Sequence, residues 1–377
     1  MFSYWEQESF LSNYDIIIIG SGIVGLNAAI ELKLHDSKLN IAILERGILP
    51  TGASTKNAGF ACFGSVSELV SDLSKHSAAE VWALVERRYN GLLKLSNRLG
   101  AANIEFYQYG NYEIFTNKEL NIFNNCIEKL PEFNYILNDL IKVPQVFQVQ
   151  DYKIQEFGLN KVEHLIWNSA EGQINTGKMM KTLLKMAYSL EINIFNGVEV
   201  ATVQDNGNRV KIECKNFANF ETKKVIVATN GFAKQLFANL EVTPARNQVL
   251  VTQKIANLNL KGCFHQDEGF IYFRNIDNRV LIGGGRNKNL NTEATDELEL
   301  TDFIQNYLEN ILFTHILPNQ KVKIEHRWAG ILGLGTDKKP IIKKISDNII
   351  VAVRMGGMGV AIGILVAEEA AKLAINY

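Results

Sequence analysis

The chain has 377 residues, a length that favours two domains. Hydrophobic residues make up 47% and charged residues 21% of it, as in ordinary globular proteins, which excludes a disordered, collagenous or coiled-coil chain. The 39 Lys and Arg residues nearly balance the 40 Asp and Glu residues, so net charge gives no general attraction to nucleic acid or to an anionic membrane.

Four cysteines, at positions 62, 126, 214 and 263, are far apart and form no CxxC pair. This spacing indicates neither a disulfide framework nor a zinc site and is typical of a reducing compartment. The N-terminal residues contain Glu6 and Glu8 and no cationic stretch before an apolar one, unlike a secretory signal. The most apolar early run, Ile16 to Ile19, is far shorter than the roughly 20 residues of a membrane span. We therefore expect a cytoplasmic protein with no integral membrane segment and no nucleic-acid partner.

The first 45 residues have the pattern of a strand, a glycine-rich turn, a helix and a second strand. Residues 16–19 are apolar at every position, which is typical of a strand buried on both faces. Gly20, Gly22 and Gly25 follow in the spacing GxGxxG, and Glu45 ends the next apolar run twenty positions later. In this context the pattern predicts a dinucleotide site, although a glycine-rich turn without a ligand is the alternative.

Each position of this pattern has a physical role. Gly20 permits a tight turn, Gly22 lets a pyrophosphate approach the backbone, and Gly25 lets the helix pack closely on the strand. The helix N-terminus presents free N–H groups and the positive end of its dipole to the phosphates. Glu45 would accept hydrogen bonds from a ribose diol. Arg46 would suit a 2′-phosphate, but the acidic residue before it opposes that interpretation.

The rest of the chain predicts helices and strands in alternating blocks. The remaining predicted helices cover residues 81–99, 119–130 (ending near Pro131), 177–190 and 360–375. The remaining predicted strands cover residues 104–115, 161–167, 192–195, 198–203, 210–214, 224–231, 248–253, 269–274, 279–284 and 348–353. Strands typical of a nucleotide-binding domain reappear near residue 190, and residues 248–284 alternate as antiparallel strands do. The chain therefore passes back and forth between two domains.

Several further motifs occur in a characteristic order. They are Ser3-Tyr4-Trp5, the glycine- and serine-rich segment Thr51 to Phe60, the strand Val225 to Gly231, the pair Phe270 to Arg274 and Arg279 to Gly284, Trp328-Ala329-Gly330, and the turn Gly356 to Gly363. In this order they resemble the FAD-dependent oxidoreductases of the D-amino acid oxidase family. That family includes glycine oxidase, sarcosine oxidase and γ-glutamylputrescine oxidase.

The resemblance implies an α/β fold in which a discontinuous Rossmann-type FAD-binding domain is interleaved with an α+β substrate domain built on a mixed or antiparallel sheet. The FAD-binding domain would comprise residues 1–80, 170–242 and 325–377. The substrate domain would comprise residues 81–169 and 243–324.

The resemblance also implies a set of FAD-binding residues. They are Gly20, Gly22, Ile23, Val24, Gly25, Glu45, Arg46, Ala53, Ser54, Lys56, Asn57, Ala58, Val200, Ala228, Thr229, Gly231, Gly330, Gly357, Met358, Gly359 and Val360. The last four would place N–H groups and a helix N-terminus near the flavin N1–C2=O, where fixed dipoles stabilise the anionic reduced form. No Cys or His follows Arg327, and the N-terminal loop offers only Cys62, so we expect noncovalent FAD.

On the substrate side, strand alternation places Phe270, Tyr272 and Arg274 on one face. Tyr272 and Arg274 would suit an amine that bears a remote carboxylate, whereas the alternative is an ordinary sheet face with Arg274 in a structural ion pair. Lys56 would be the cation beside the flavin and would assist reoxidation by oxygen, or it would only contact a phosphate or the loop. Lys56, Tyr272 and Arg274 are thus the candidate catalytic residues.

One departure concerns the carboxylate clamp. Small-amino-acid oxidases of this type carry an arginine shortly after Trp-x-Gly, but here residues 330–335 contain no cation before Lys338. A free α-amino acid substrate is therefore in doubt. The sequence also shows no Ser/His/Asp arrangement and no metal-ligand pattern.

The expected function is oxidation of a C–N bond of an amine or N-substituted amino acid to an imine, by hydride transfer to flavin N5. Oxygen or a quinone would accept the electrons. The alternatives are a 2-hydroxy-acid oxidoreductase, a flavin-binding protein without turnover, and a nicotinamide dehydrogenase, against which the interrupted nucleotide domain argues.

Overall fold

The computed structural model describes residues 1–11, 13–318 and 320–375. Its strands are β1 Ile16–Ile19, β2 Ile41–Glu45, β3 Phe60–Ala61, β4 Asn111–Phe115, β5 Phe147–Val149, β6 His164–Asn168, β7 Gly172–Gln173, β8 Asn193–Asn196, β9 Val200–Asp205, β10 Val210–Cys214, β11 Phe220–Thr222, β12 Lys224–Val227, β13 Thr243–Thr252, β14 Cys263–Gln266, β15 Ile271–Ile276, β16 Arg279–Gly284, β17 Ile324–Leu334, β18 Ile341–Lys344 and β19 Ile349–Val353.

The α-helices are α1 Tyr4–Glu6, α2 Ile23–His35, α3 Ala53–Lys56, α4 Val66–Leu73, α5 Ala78–Leu99, α6 Leu120–Ile141, α7 Lys153–Phe157, α8 Thr176–Ser189, α9 Leu290–Glu293, α10 Asp302–Ile311 and α11 Gly359–Ile375. Short 3₁₀-helices cover Asn117–Glu119, Asn230–Gln235 and Arg286–Lys288, and π-helical turns cover Gln7–Leu11 and Leu312–Ile316. Within the described ranges, no helix is long and apolar enough to cross a membrane.

The first large sheet has six strands in the order β18-β19-β12-β1-β2-β8, and all neighbours except β18 and β19 are parallel. Every residue of β1 is buried, as its apolar run predicts. Helices α2, α8 and α11 pack against one face of the sheet, and strands β9 to β11 cover the other. This sheet gathers segments from both ends and the middle of the chain, which confirms the interrupted nucleotide-binding fold.

The second large sheet has eight strands in the order β17-β13-β16-β15-β14-β4-β6-β5. Its neighbours are antiparallel except β14 and β4, so the expected mixed sheet is confirmed. Strand β17 pairs with β13 in this sheet, although the predicted division assigns residues 325–377 to the FAD-binding domain. That division stays a prediction, and its ranges also include residues 12, 319, 376 and 377, which lie outside the described residues.

Two element predictions are wrong. Helix α6 does not end near Pro131 but continues for ten further residues to Ile141. Phe133, Leu137 and Ile141 are buried on its continuing apolar face. Burial of each side chain stabilises the folded state by about 1.5–3 kcal/mol. The three together therefore outweigh the roughly 3 kcal/mol by which an interior proline destabilises a helix. The strand predicted over residues 104–115 shortens to β4, since residues 101–105 form turns.

One row of side chains crosses the eight-stranded sheet on a single face. Strand register pairs His265 with Glu113 on one side and with Tyr272 on the other, and Tyr272 pairs with Gly283. Val249 and then Trp328 continue the row across β13 and β17. Paired residues of neighbouring strands point to the same face, and His265, Tyr272 and Val249 of this row line the site described below.

Candidate active site

A cavity of about 600 Å³ is lined by residues of both large sheets, a size within the range of small-molecule and cofactor sites. Most of the predicted site residues line it: Gly20, Gly22, Ile23, Val24, Glu45, Arg46, Ala53, Ser54, Lys56, Asn57, Ala58, Val200, Ala228, Thr229, Tyr272, Gly330, Gly357, Met358, Gly359 and Val360. Gly25, Gly231 and Arg274 are not among the lining residues. Most of the residues singled out from the sequence therefore lie along one continuous cleft.

The glycine turn after β1 is built for close approach. Gly20 has a φ of +103°, and a Cβ on it would lie 2.9 Å from the Ala228 carbonyl oxygen. A Cβ on Gly25 would lie 1.9 Å from the Gly20 carbonyl oxygen, so α2 reaches the turn only because this residue has no side chain. The first-turn N–H groups of α2 lack intrahelical acceptors, and the Ile23 N–H donates to the Ser54 Oγ at 2.9 Å. This cradle fits the pyrophosphate of a dinucleotide.

Glu45 is buried and already oriented at the end of β2. Its Oε2 accepts hydrogen bonds from the N–H and Oγ–H of Ser21, at 3.0 and 2.7 Å, and its Oε1 accepts one from the Gly47 N–H at 3.0 Å. An ionised carboxylate has about four acceptor positions, so about one remains for a ribose hydroxyl. The Arg46 guanidinium lies 3.8 Å from the centroid of the Phe232 ring.

The predicted flavin loop is fixed by its own polar groups. The Asn57 side chain donates to the Ser54 carbonyl at 2.8 Å and accepts from the Gly59 N–H at 2.9 Å. The Trp328 Nε1–H donates to the Lys56 carbonyl at 2.9 Å, which ties the loop to the eight-stranded sheet. The Lys56 ammonium has no hydrogen bond or ion pair to any described residue. The loop therefore presents a free cation to the cleft.

Two further features line the cleft, a buried hydroxyl oxygen and a glycine turn that precedes α11. The Thr229 Oγ1 lies at the cleft with no hydrogen-bond partner among the described residues. Gly356 and Gly357 have φ values of +59° and +85°, and α11 begins at Gly359. Its free first-turn N–H groups and dipole suit the anionic edge of a reduced flavin. The residues present therefore fit FAD.

Arg274 is not among the residues that line the cleft. It shares a sheet face with Tyr272, as strand alternation predicts, but its buried Nη1 donates to the carbonyls of Gly59 and Ile174 at 2.8 and 2.9 Å. The first of these hydrogen bonds ties Arg274 to the segment that follows the Asn57 turn, so its role toward a substrate stays a prediction. Gly231 also differs from prediction, because it packs on β17, where a Cβ would lie 2.5 Å from the Leu332 carbonyl oxygen.

Two residues of the cleft are not apparent from the sequence pattern. Arg286 follows β16, and its guanidinium lies 4.6 Å from the centroid of the Phe270 ring, without a hydrogen bond or ion pair to any described residue. Asn247 on β13 lines the cleft with a buried Oδ1 that has no partner among these residues. Burial lowers the pKa of Arg286 and raises that of the Tyr272 hydroxyl, so both groups keep their protons at neutral pH. The only sequence signal for Arg286 is its position after three glycines at a strand end.

Comparison with known proteins agrees with this arrangement. Probable oxidoreductase OrdL of Haemophilus influenzae is 22% identical over 381 aligned positions, which cover 95% of this chain and 83% of that protein. L-proline dehydrogenase from P. horikoshii has a TM-score of 0.76 at 18% identity, over 97% of this chain and 94% of that chain. Glycine oxidase from Geobacillus kaustophilus has a TM-score of 0.76 at 19% identity, over 96% and 94%. At these identities the two structures show a common fold.

A family model described as DAO, FAD dependent oxidoreductase, matches residues 15–373, nearly the whole chain. This match confirms the resemblance inferred from the sequence motifs. The chain therefore belongs to the DAO family of FAD-dependent oxidoreductases.

Proposed function

We propose that this oxidoreductase converts a C–N bond of an amine or N-substituted amino acid into an imine, and that the substrate carries a carboxylate. The observation that carries the proposal is the guanidinium of Arg286 in the cleft, which lies beside Phe270 and Tyr272 and has no ion-pair partner in the described part of the chain. Bound FAD supplies the hydride acceptor. The residues of the chain bind and orient the substrate.

Arg286, Asn247 and Tyr272 have different roles in the proposed binding of the substrate. A guanidinium binds a carboxylate through two parallel hydrogen bonds, so Arg286 replaces the clamp that residues 330–335 lack. The Asn247 Oδ1 accepts a hydrogen bond from the substrate N–H, which satisfies an otherwise orphaned buried acceptor. The Tyr272 ring provides an apolar wall that aligns the reacting carbon.

The comparisons support this substrate class. Glycine and proline, in the names of the two similar structures, each combine a carboxylate with an amine. Arg286 and Asn247 offer a cation and a free acceptor for these two groups. The lack of an arginine after Trp328-Ala329-Gly330 is then no obstacle to an amino-acid-like substrate.

We also propose that FAD is held noncovalently. Cys62 is the cysteine that lines the cleft, and its Sγ lies 3.9 Å from the Met358 Sδ. Burial raises the pKa of this thiol well above its ordinary value, so it offers little thiolate for attachment. Acid precipitation tests this directly: the yellow flavin bands should pass into the supernatant, whereas bands retained in the pellet would show a covalent link.

The proposed reaction is tested by anaerobic bleaching of the flavin with a panel of small compounds. Glycine, N-methylglycine and L-proline represent amines with a carboxylate, and glycolate represents the 2-hydroxy acids, whose O–H could also donate to Asn247. We expect bleaching by at least one amine and not by glycolate. Bleaching by glycolate alone would establish the 2-hydroxy-acid alternative, and no bleaching by any compound would favour a flavin-binding protein without turnover. Reoxidation by oxygen or by a quinone then identifies the electron acceptor.

A further inference from the structure

A second polar region lies in the same cleft on the other side of Tyr272. The Tyr272 ring leans over β16, where a Cβ on Gly283 would lie 2.6 Å from its Cε2. Arg286 and Asn247 lie on this side, after β16 and on β13. The opposite side faces β14 and β4, which carry His265 and Asn111. The two strands thus give the cleft a second set of polar groups, separated from Arg286 by the Tyr272 ring.

A chain of hydrogen bonds fixes the orientation of His265. Glu171 accepts from the N–H groups of Phe63 and Gly64, at 2.6 and 2.9 Å, and from the Asn111 Nδ2 at 2.6 Å. The Asn111 Oδ1 therefore faces the His265 Nδ1, at 2.8 Å, and can only accept. Because the Nδ1 must donate, the neutral imidazole presents a lone pair on Nε2.

This Nε2 is an unused acceptor. His265 is 7% exposed and lines the cleft, and its Nε2 has no hydrogen-bond partner among the described residues. The nearest acidic atom, the Glu113 Oε1, lies 4.0 Å away and is also an acceptor when ionised. A buried acceptor without a donor costs about 1–3 kcal/mol, so a ligand that brings a donor gains from satisfying it.

The same region lacks a cation. Glu113 and Glu171 are 3% and 1% exposed, and neither has a Lys or Arg within ion-pair distance among the described residues. Burial raises the pKa of each carboxyl to about 7. Arg88 is paired with Glu68 and Lys338 with Glu68 and Asp72, while Arg274 donates to the carbonyls of Gly59 and Ile174. Among the described residues, these two buried carboxyls therefore have no Lys or Arg partner, and the imidazole lone pair has no donor.

We propose that this region, formed by Glu171, Asn111 and His265, binds a positively charged ammonium group of the substrate. An ammonium carries three donors and the missing charge, and it can donate to the His265 Nε2 and to the remaining acceptor position of Glu171. With its carboxylate on Arg286, the substrate lies across Tyr272. The substrate class is then a carboxylate-bearing amine with a second, remote cationic group. This inference rests on the proposed amine oxidation.

The test compares lysine with norleucine, which lacks the terminal ammonium. Each amino acid is assayed as its L- and its D-enantiomer. For the FAD-loaded protein we expect kcat/KM to favour lysine about tenfold or more. Glu171→Gln keeps the size of the side chain and removes its charge, so the preference should fall to about one. Glu268→Gln is the matched control, because Glu268 lines the cleft but is exposed, and it should leave the ratio within about twofold.

His265 provides a second pair of variants if Glu171→Gln does not fold. His265→Gln keeps an acceptor and should retain most of the lysine preference, whereas His265→Leu should abolish it. Glycine oxidation with no lysine preference in the unaltered protein would overturn the subsite and leave the proposed function intact. Weakened FAD uptake in Glu171→Gln with an unchanged lysine-to-norleucine ratio would overturn it too, since the region would then contact the flavin. No bleaching by any amine would reject the proposed function itself.

Discussion

The guanidinium of Arg286 lies beside the Phe270 ring and has no anionic partner among the described residues. A cation in that position gains most from a ligand that brings a carboxylate, since paired and desolvated charges interact far more strongly than exposed ones. Arg274, two residues beyond Tyr272 on β15, differs because two backbone carbonyls already occupy its Nη1. The proposed recognition of a carboxylate therefore rests on Arg286 and not on Arg274.

Arg286→Gln should lower kcat/KM for a carboxylate-bearing amine about 30-fold or more, because removing one partner of a buried charged pair costs about 2–5 kcal/mol. Arg286→Lys should recover only part of this loss, since an ammonium cannot form the two parallel hydrogen bonds. The measurement is the anaerobic rate of flavin reduction. Arg279→Gln, which breaks a partly exposed ion pair with Glu325, is the control and should change the rate less than about twofold. Equal effects of the two arginines would contradict the assignment.

The limits of sequence-based prediction are clear at this scale. The position of Gly20, Gly22 and Glu45 in the cleft was predictable because it depends on local spacing around one turn. Alternation identified the face of Tyr272 and Arg274, but it carries no information on the chain segment that covers Arg274. Arg286 and His265 reach the cleft through strand register across the sheet, which one sequence does not reveal.

At the scale of single elements, two glycines in the first turns of helices have opposite roles. Gly25 in α2 meets the Gly20 carbonyl, whereas a Cβ on Gly177 in α8 would have only the Asn175 Oδ1 within 4 Å, at 3.5 Å. Gly25→Ala should therefore lower both the free energy of unfolding and FAD uptake, by at least the 1–3 kcal/mol typical of overpacking. Gly177→Ala should be neutral or stabilising by up to about 1 kcal/mol. Thermal unfolding with and without added FAD separates the two, and similar losses in both variants would refute the close-packing argument.

Helix α6 gives a second test of element stability. Pro131 is exposed in the middle of this helix, where it removes a backbone donor. Pro131→Ala should restore the hydrogen bond and raise the free energy of unfolding by about 1–3 kcal/mol. Chemical denaturation measures the change. A loss of stability would mean that the surrounding packing requires a bend at this residue.

The early end predicted for this helix came from weighing local propensity without the burial that follows Pro131.

At the scale of the whole molecule, the buried carboxyls make folding stability depend on pH. Burial raises the pKa of Glu113 and Glu171 from 4.5 to about 7, so their stabilising contribution is complete below about pH 4.5 and is lost as the pH rises through 7. Burial lowers the pKa of His265 from 6.5 to about 4, which makes stability rise with pH between those values. Burial also lowers the pKa of His315, so two imidazoles oppose the two carboxyls below pH 6.5, and the carboxyls act alone between pH 6.5 and about 7.

Glu171→Gln removes one of these titrations. The stability of this variant relative to the unaltered protein should therefore increase as the pH rises from 5 to 8, whatever its offset at pH 5. Denaturation at several pH values gives the difference directly, with Glu268→Gln as a control that should run parallel to the unaltered protein. Parallel curves for Glu171→Gln would show that its carboxyl titrates alike in the folded and unfolded states.

The whole fold was the part most accessible to prediction, because the order of the motifs reflects how the chain passes between its two large sheets. The proposed substrate site instead combines side chains from β13, β15 and the segment after β16, which line one cleft only in the folded molecule. The visible absorption spectrum during anaerobic addition of glycine, N-methylglycine, L-proline and L-lysine tests the central claim most directly. We expect yellow flavin bands that bleach with at least one of these amines. Bands that persist with all four, or a protein that neither contains nor takes up FAD, would contradict it.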